Sequence, residues 1–153
     1  MTLAAALEQE HHDIDRGIDA FREDGDEQLL REAVAALRRH IYLEEVLVFP
    51  SLREAGLTAP VFVMLREHGE MWRLLDRVDA ATDAAELRAL CDELEPTLQA
   101  HNGKEEPILY PQVDAVLDDD RTAVLREFLA SGAMPEGWTC EQAAGRPRTL
   151  PFG

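Results

Sequence analysis

The chain has 153 residues and sets 15 Lys and Arg against 31 Asp and Glu, for a net charge of −16. That balance repels nucleic acid and anionic membranes and leaves cations as the favoured partners. A chain of this length buries roughly 70% of the surface its unfolded form exposes, so it can hold a core without disulfides. Cys91 and Cys140 are far apart, with no second Cys or His beside either, which excludes a zinc finger, a CxxC redox pair and a disulfide framework. A reducing, cytoplasmic setting is expected. The N-terminal residues carry no Lys or Arg ahead of their short apolar run, unlike a secretory signal, and no apolar stretch is long enough for a membrane span.

Apolar residues recur with helical spacing along most of the chain. Leu3, Leu7, His11, Ile14, Ile18 and Phe21 form a first stripe, which the acidic run from Glu23 to Glu27 interrupts. Leu30, Val34, Leu37, His40, Glu44 and Leu47 form a second, which Pro50 distorts or ends. A turn at residues 55–60, with Thr58 as the expected cap, precedes a third stripe through Val61, Leu65, His68, Trp72, Leu75 and Val78. After Thr82-Asp83 a fourth runs through Leu87, Leu90, Leu94, Leu98, His101, Glu105, Leu109 and Val116, made less regular by Pro96, Pro107 and Pro111. Four such helices joined by short polar turns predict an all-α, up-down-up-down antiparallel four-helix bundle over residues 1–117. Residues 118–153 are expected to add a short helix over 122–130 and, from Gly132, an irregular tail that Trp138, Leu150 and Phe152 dock on the bundle.

One motif occurs twice. Residues 40–50 and 101–111 both read H-x3-E-E-x3-[FY]-P, and each copy follows a lone Glu-His pair, Glu10-His11 and Glu67-His68, on the helix before it. Residues four apart on a helix share a face, so His40 and Glu44 converge, as do His101 and Glu105. His11, His40, Glu44, His68, His101 and Glu105 all fall on the apolar stripes. Burying an unpaired carboxylate costs several kcal/mol, and no Lys or Arg occupies the neighbouring stripe positions to compensate two of them. A divalent cation satisfies carboxylates and imidazoles together. Six ligands in a two-fold arrangement suit two ions, His11 and His40 on one, His68 and His101 on the other, with Glu44 and Glu105 bridging. Imidazole with carboxylate and no thiolate favours iron, while manganese and zinc stay open.

These residues resemble the hemerythrin-like, or HHE cation-binding, domain family over about residues 3–117. The resemblance implies a bundle around a non-haem di-iron centre with an oxo or hydroxo bridge, ligated by the same six residues. Trp72 stands where oxygen-carrying hemerythrins place a second histidine of the third helix, and the fourth helix has H-x3-E in place of H-x4-D. The pattern is therefore more similar to bacterial HHE proteins linked to iron handling, nitric oxide or peroxide. The function expected is binding or sensing of a small ligand such as O2 or NO, or iron handling. A di-iron oxidoreductase acting on peroxide, oxygen or nitric oxide is the alternative, and a bundle stabilised by zinc a third reading. His12 is off the stripe and expected at the surface. Glu45 and Glu106 either orient a histidine N–H or form a solvated acidic face. Tyr42, Tyr110 and Trp72 either supply a proton or electron or simply pack.

Overall fold

A computed structural model describes residues 1–145, and among them there are helices and no strand. Four long helices, α1 (Leu3–Asp24), α2 (Glu27–Leu43), α4 (Thr58–Ala80) and α5 (Ala84–Ile108), make a bundle in which each packs on two of the others. Shorter helices complete it: α3 (Phe49–Glu54), α6 (Tyr110–Val116), α7 (Asp119–Ser131) and α8 (Glu141–Gly145). None is long and apolar enough to cross a membrane.

The ends of the long helices follow from their capping residues. Thr2, Asp26 and Asp83 each accept a hydrogen bond from a first-turn backbone N–H of α1, α2 and α5. Gly25 closes α1 at φ 73°, a left-handed conformation that glycine adopts without steric cost. The start of α1 is also tied to α6, where Asp114 accepts from the backbone N–H groups of Leu3 and Ala4.

Several expectations need correction. Thr58 is the first residue of α4 rather than its cap, and Leu57 precedes it with no side-chain bond. The second stripe does not run regularly to Leu47. Residues Glu44–Val48 form a wide π turn in which the Phe49 N–H donates to the Glu44 carbonyl five residues back. Pro50 explains it, since proline lacks the donor for a regular turn and its ring clashes with the carbonyl four residues earlier. The wider turn brings Val48 and Phe49 into the core and leaves Leu47 only half-buried. The fourth stripe divides at Leu109 into α5 and α6, while Pro96 and Pro107 remain inside α5.

Among the described residues, the C-terminal region holds more regular structure than its composition suggested. Helix α7 starts at Asp119, capped by Asp118, three residues before the expected Thr122. Beyond it, α8 packs on α4 where Gly69 has no side chain; a Cβ there would stand 2.7 Å from that of Gln142. Trp138 and the fully buried Cys140 join the core, as the docking expectation required of Trp138. Leu150 and Phe152, the other two expected docking residues, lie outside the described residues.

The core has two parts. One apolar cluster gathers Ile14, Leu37, Ile41, Met71 and Leu98, the other Leu7, Leu43, Leu65, Leu109 and Tyr110. Along each long helix, the histidines and glutamates of the repeated motif fall at the boundary between the two. A layer of ionisable groups thus crosses the middle of an otherwise apolar interior.

Candidate metal centre

Helix α1 supplies His11, α2 supplies His40, the π turn supplies Glu44, α4 supplies His68, and α5 supplies His101 and Glu105. All six are at most 3% exposed. The fold gathers them into two groups, His11, His40, Glu44 and Glu105, and Glu44, His68, His101 and Glu105. In each group one ligand atom per residue lies within 4.8 Å of every other, and both carboxylates belong to both groups. The Glu44 carboxylate reaches across, Oε2 standing 3.1 Å from His40 Nε2 and Oε1 3.0 Å from His68 Nε2. Glu105 Oε1 lies 3.3 Å from His11 Nε2 and 3.4 Å from His101 Nε2.

The outer nitrogen of each ring decides what the inner one can do. His11 Nδ1 lies 2.7 Å from Glu106, His40 Nδ1 2.9 Å from Glu10, His68 Nδ1 2.7 Å from Glu45, and His101 Nδ1 2.9 Å from Glu67. An ionised carboxylate only accepts, so each Nδ1 carries the proton and donates it, and in the neutral ring each Nε2 turns a lone pair inward. Four nitrogen lone pairs therefore face two carboxylates, a set of acceptors that only protons or cations can satisfy. Glu105 Oε2 is buried with no hydrogen-bond partner among the described residues, the kind of orphaned acceptor that a cation would occupy. The donor set fits a divalent cation that accepts mixed imidazole and carboxylate ligation.

Without a cation, protons take its place. Burial opposes charge on His40, but the charge of Glu44 and the bonds to Glu10 and Glu44 outweigh it and raise the pKa to about 10. Burial likewise opposes charge on His101, and the charge and bond of Glu105 with the bond to Glu67 raise it to about 10. Glu44, despite burial, is held well below the usual carboxylate range by His40 and His68.

The orienting carboxylates are anchored in turn. Arg39 pairs with Glu10 and donates to the carbonyls of Phe128, Leu129 and Gly132 at the end of α7. Lys104 pairs with Glu67, and the bond from His101 with Lys104 beside it lowers that carboxyl to about 2. Glu45 also accepts the backbone N–H of Glu141, the first residue of α8, at 2.9 Å. Of the two readings open for Glu45 and Glu106, the orienting one holds for both. Glu10 and Glu67 do the same work without having been singled out. Their signal was present in the Glu-His pairs, but each glutamate serves the histidine of the following helix rather than its sequence neighbour.

The aromatic candidates separate. Tyr42 packs between Phe128 and Trp138, and Trp72 against Trp138 and beneath Arg38. Tyr110, fully buried, sends its hydroxyl into the His11 and His40 group. Burial, with Glu105 and Glu44 next in weight, pushes its pKa well above 10. His12 is exposed, as its place off the stripe required.

A helical bundle with a buried, paired histidine and carboxylate centre is the architecture of a metal-binding protein. The family model described as the hemerythrin HHE cation binding domain matches residues 2–113, and the chain belongs to that family. Comparison with curated proteins and with solved structures gives no significant match. Family membership implies cation binding, and both four-residue groups lie inside the matched span.

Proposed function

We propose that the chain is a non-haem di-iron protein that binds or senses a small ligand such as oxygen or nitric oxide, or handles iron. In this reading residues 1–117 form the up-down-up-down bundle. His11 and His40 hold one iron, His68 and His101 the other, and Glu44 and Glu105 are shared. The observation that carries it is the convergence of four imidazole Nε2 atoms on two shared carboxylates while every Nδ1 is bonded to a further carboxylate. A pair of ions fits two overlapping groups better than a single ion does, and imidazole with carboxylate and no thiolate suits iron.

When bound, iron supplies reversible ligation of a diatomic molecule and a change of oxidation state. The protein's share is to fix the imidazoles in the ligating tautomer and to surround them with apolar side chains that keep water out. Turnover of peroxide or nitric oxide would call for the same ligands and, in addition, a proton delivered to the bound molecule.

The test is metal content per chain after anaerobic loading with ferrous iron, with absorption spectra before and after exposure to air and to nitric oxide. Two irons per chain and a spectrum that changes with either gas are expected. Zinc alone, or no metal, would overturn the reading. Sustained consumption of peroxide by the loaded protein would transfer it to the oxidoreductases.

A further inference from the structure

The two halves of the repeat differ at one position inside the centre. The aromatic residue before the motif proline is Phe49 in the first copy and Tyr110 in the second. Both side chains are buried and turned toward the histidines, because the irregular backbone after each motif glutamate rotates the fifth residue on back to the inner face. Phe49 stacks on His68 with ring centroids 5.5 Å apart and planes 19° apart. It brings no polar atom. The Tyr110 hydroxyl lies 2.9 Å from His11 Nε2, 3.0 Å from His40 Nε2, 2.5 Å from Glu44 Oε2 and 3.1 Å from Glu105 Oε1.

With neutral, metal-ligating rings, hydrogen bonding alone does not account for that position. Once both rings are neutral, as ligation of a cation requires, each has its only proton on Nδ1 and committed to a carboxylate, so the two Nε2 atoms and the two carboxylate oxygens make four acceptors around a hydroxyl with one proton. Coordination to a shared ion does account for it. Two donor atoms each about 2.1 Å from one octahedral ion, in adjacent positions, stand about 3.0 Å apart. Three of the four distances around the Tyr110 oxygen lie within 0.1 Å of that value, and the fourth, to Glu44 Oε2, is shorter.

We propose that the hydroxyl oxygen of Tyr110 is a fifth protein ligand to the ion held by His11 and His40, so that the two metal positions are unequal and an exogenous ligand enters at the ion held by His68 and His101. The proposal rests on the di-iron reading given above. As the oxygen–metal bond forms, the hydroxyl proton is displaced and passes to the buffer. The first ion then has five protein donors and the second four, and the extra vacancy lies beside Phe49, in apolar surroundings suited to a small uncharged diatomic molecule. A coordinated Tyr110 has no proton to give, which favours ligand binding over turnover.

The test compares wild type with Tyr110→Phe and Phe49→Tyr, each loaded with iron, oxidised to iron(III) with ferricyanide and analysed for metal. The expected wild type has two irons, a visible phenolate-to-iron charge-transfer band with tyrosine ring modes in the resonance Raman spectrum, and one azide bound per chain. Tyr110→Phe keeps both irons, loses the band and takes a second azide. Phe49→Tyr places a hydroxyl at the vacant position and weakens azide binding at least tenfold. Two irons with no such band, a band that survives Tyr110→Phe, or azide affinity unchanged in Phe49→Tyr would overturn this assignment while leaving the di-iron reading intact. Wild type without iron would overturn both.

Discussion

Every imidazole of the centre is held between an inner carboxylate and an outer one, and the outer one comes from a different helix. Glu10 on α1 fixes His40 on α2, and Glu67 on α4 fixes His101 on α5, while Glu45 and Glu106 return the contact to His68 and His11. The inner carboxylates are the shared ones, and that makes their removal unlike removal of a histidine. On the di-iron reading proposed above, Glu44→Ala takes a ligand from both groups and is expected to reduce iron from two per chain to near none, whereas His11→Ala, which touches one group, should leave about one. Metal analysis of the two variants, with circular dichroism to show that the helices persist, checks this; equal losses would contradict a shared Glu44. The six inner residues were legible in the sequence because spacing of three and four keeps each on an apolar stripe. Tyr110 stood out only as one of three aromatic candidates, because a residue five beyond Glu105 faces away on a regular helix and returns only through the break at Leu109. Nor could spacing assign Glu10 and Glu67, whose bonds run between helices.

At the scale of the elements, the four long helices were readable from periodicity and from the turns at Gly25, Thr58 and Asp83. What escaped were the local responses to proline, above all the π turn from Glu44 to Val48, since a missing donor says that the ladder must change but not how. Of the C-terminal helices, α7 was legible in the apolar residues of 122–130 although it begins three residues earlier, and only α8 escaped, for another reason. Helix α7 buries little beyond Leu125, and α8 is too short to show a period, so both depend on what they dock against. That docking reaches the centre. Arg39 joins Glu10 to three carbonyls at the end of α7, and Glu141 at the start of α8 donates to Glu45. Both helices lie beyond the residues that the family model matches, yet each holds a carboxylate that orients a histidine. Arg39→Met keeps an apolar stem of similar length but removes the guanidinium that stands over the Phe128 ring and pairs with Glu10. Outer partners of metal ligands are commonly worth 10–100-fold in affinity, and Arg39 acts one step further out, so a loss of about tenfold is expected, with helix content unchanged. Competition against a chelator measures it, and wild-type affinity in the variant would show that α7 merely covers the bundle.

The whole molecule joins a strongly acidic chain to a centre that, among the described residues, has no Lys or Arg within it. Its net charge of −16 draws divalent ions toward the surface, and the buried acceptors then offer them a dry site. Protons compete for the same acceptors. With no metal bound, His40 and His101 have pKa values raised from 6.5 to about 10, so the folded protein carries protons there that the unfolded chain has released at neutral pH. A pKa raised by folding stabilises the metal-free fold fully below about pH 6.5, and that contribution is lost as pH climbs through about 10. The metal-free protein therefore weakens over this window. Metal binding must expel the same protons, so affinity rises over it. These are two sides of one linkage, because the protons that the metal-free fold loses are the ones the metal no longer has to displace. At an iron concentration a hundred times the dissociation constant, one site adds about 2.7 kcal/mol, or roughly 5–10 °C in Tm for a domain of this size. The difference in Tm between iron-loaded and metal-free protein should therefore widen from about pH 6.5 to about pH 9. Anaerobic thermal melts at matched free ferrous iron test this, with proton release into a weakly buffered solution followed in parallel. A difference that stays constant, with no protons released, would mean that metal and protons do not share these histidines.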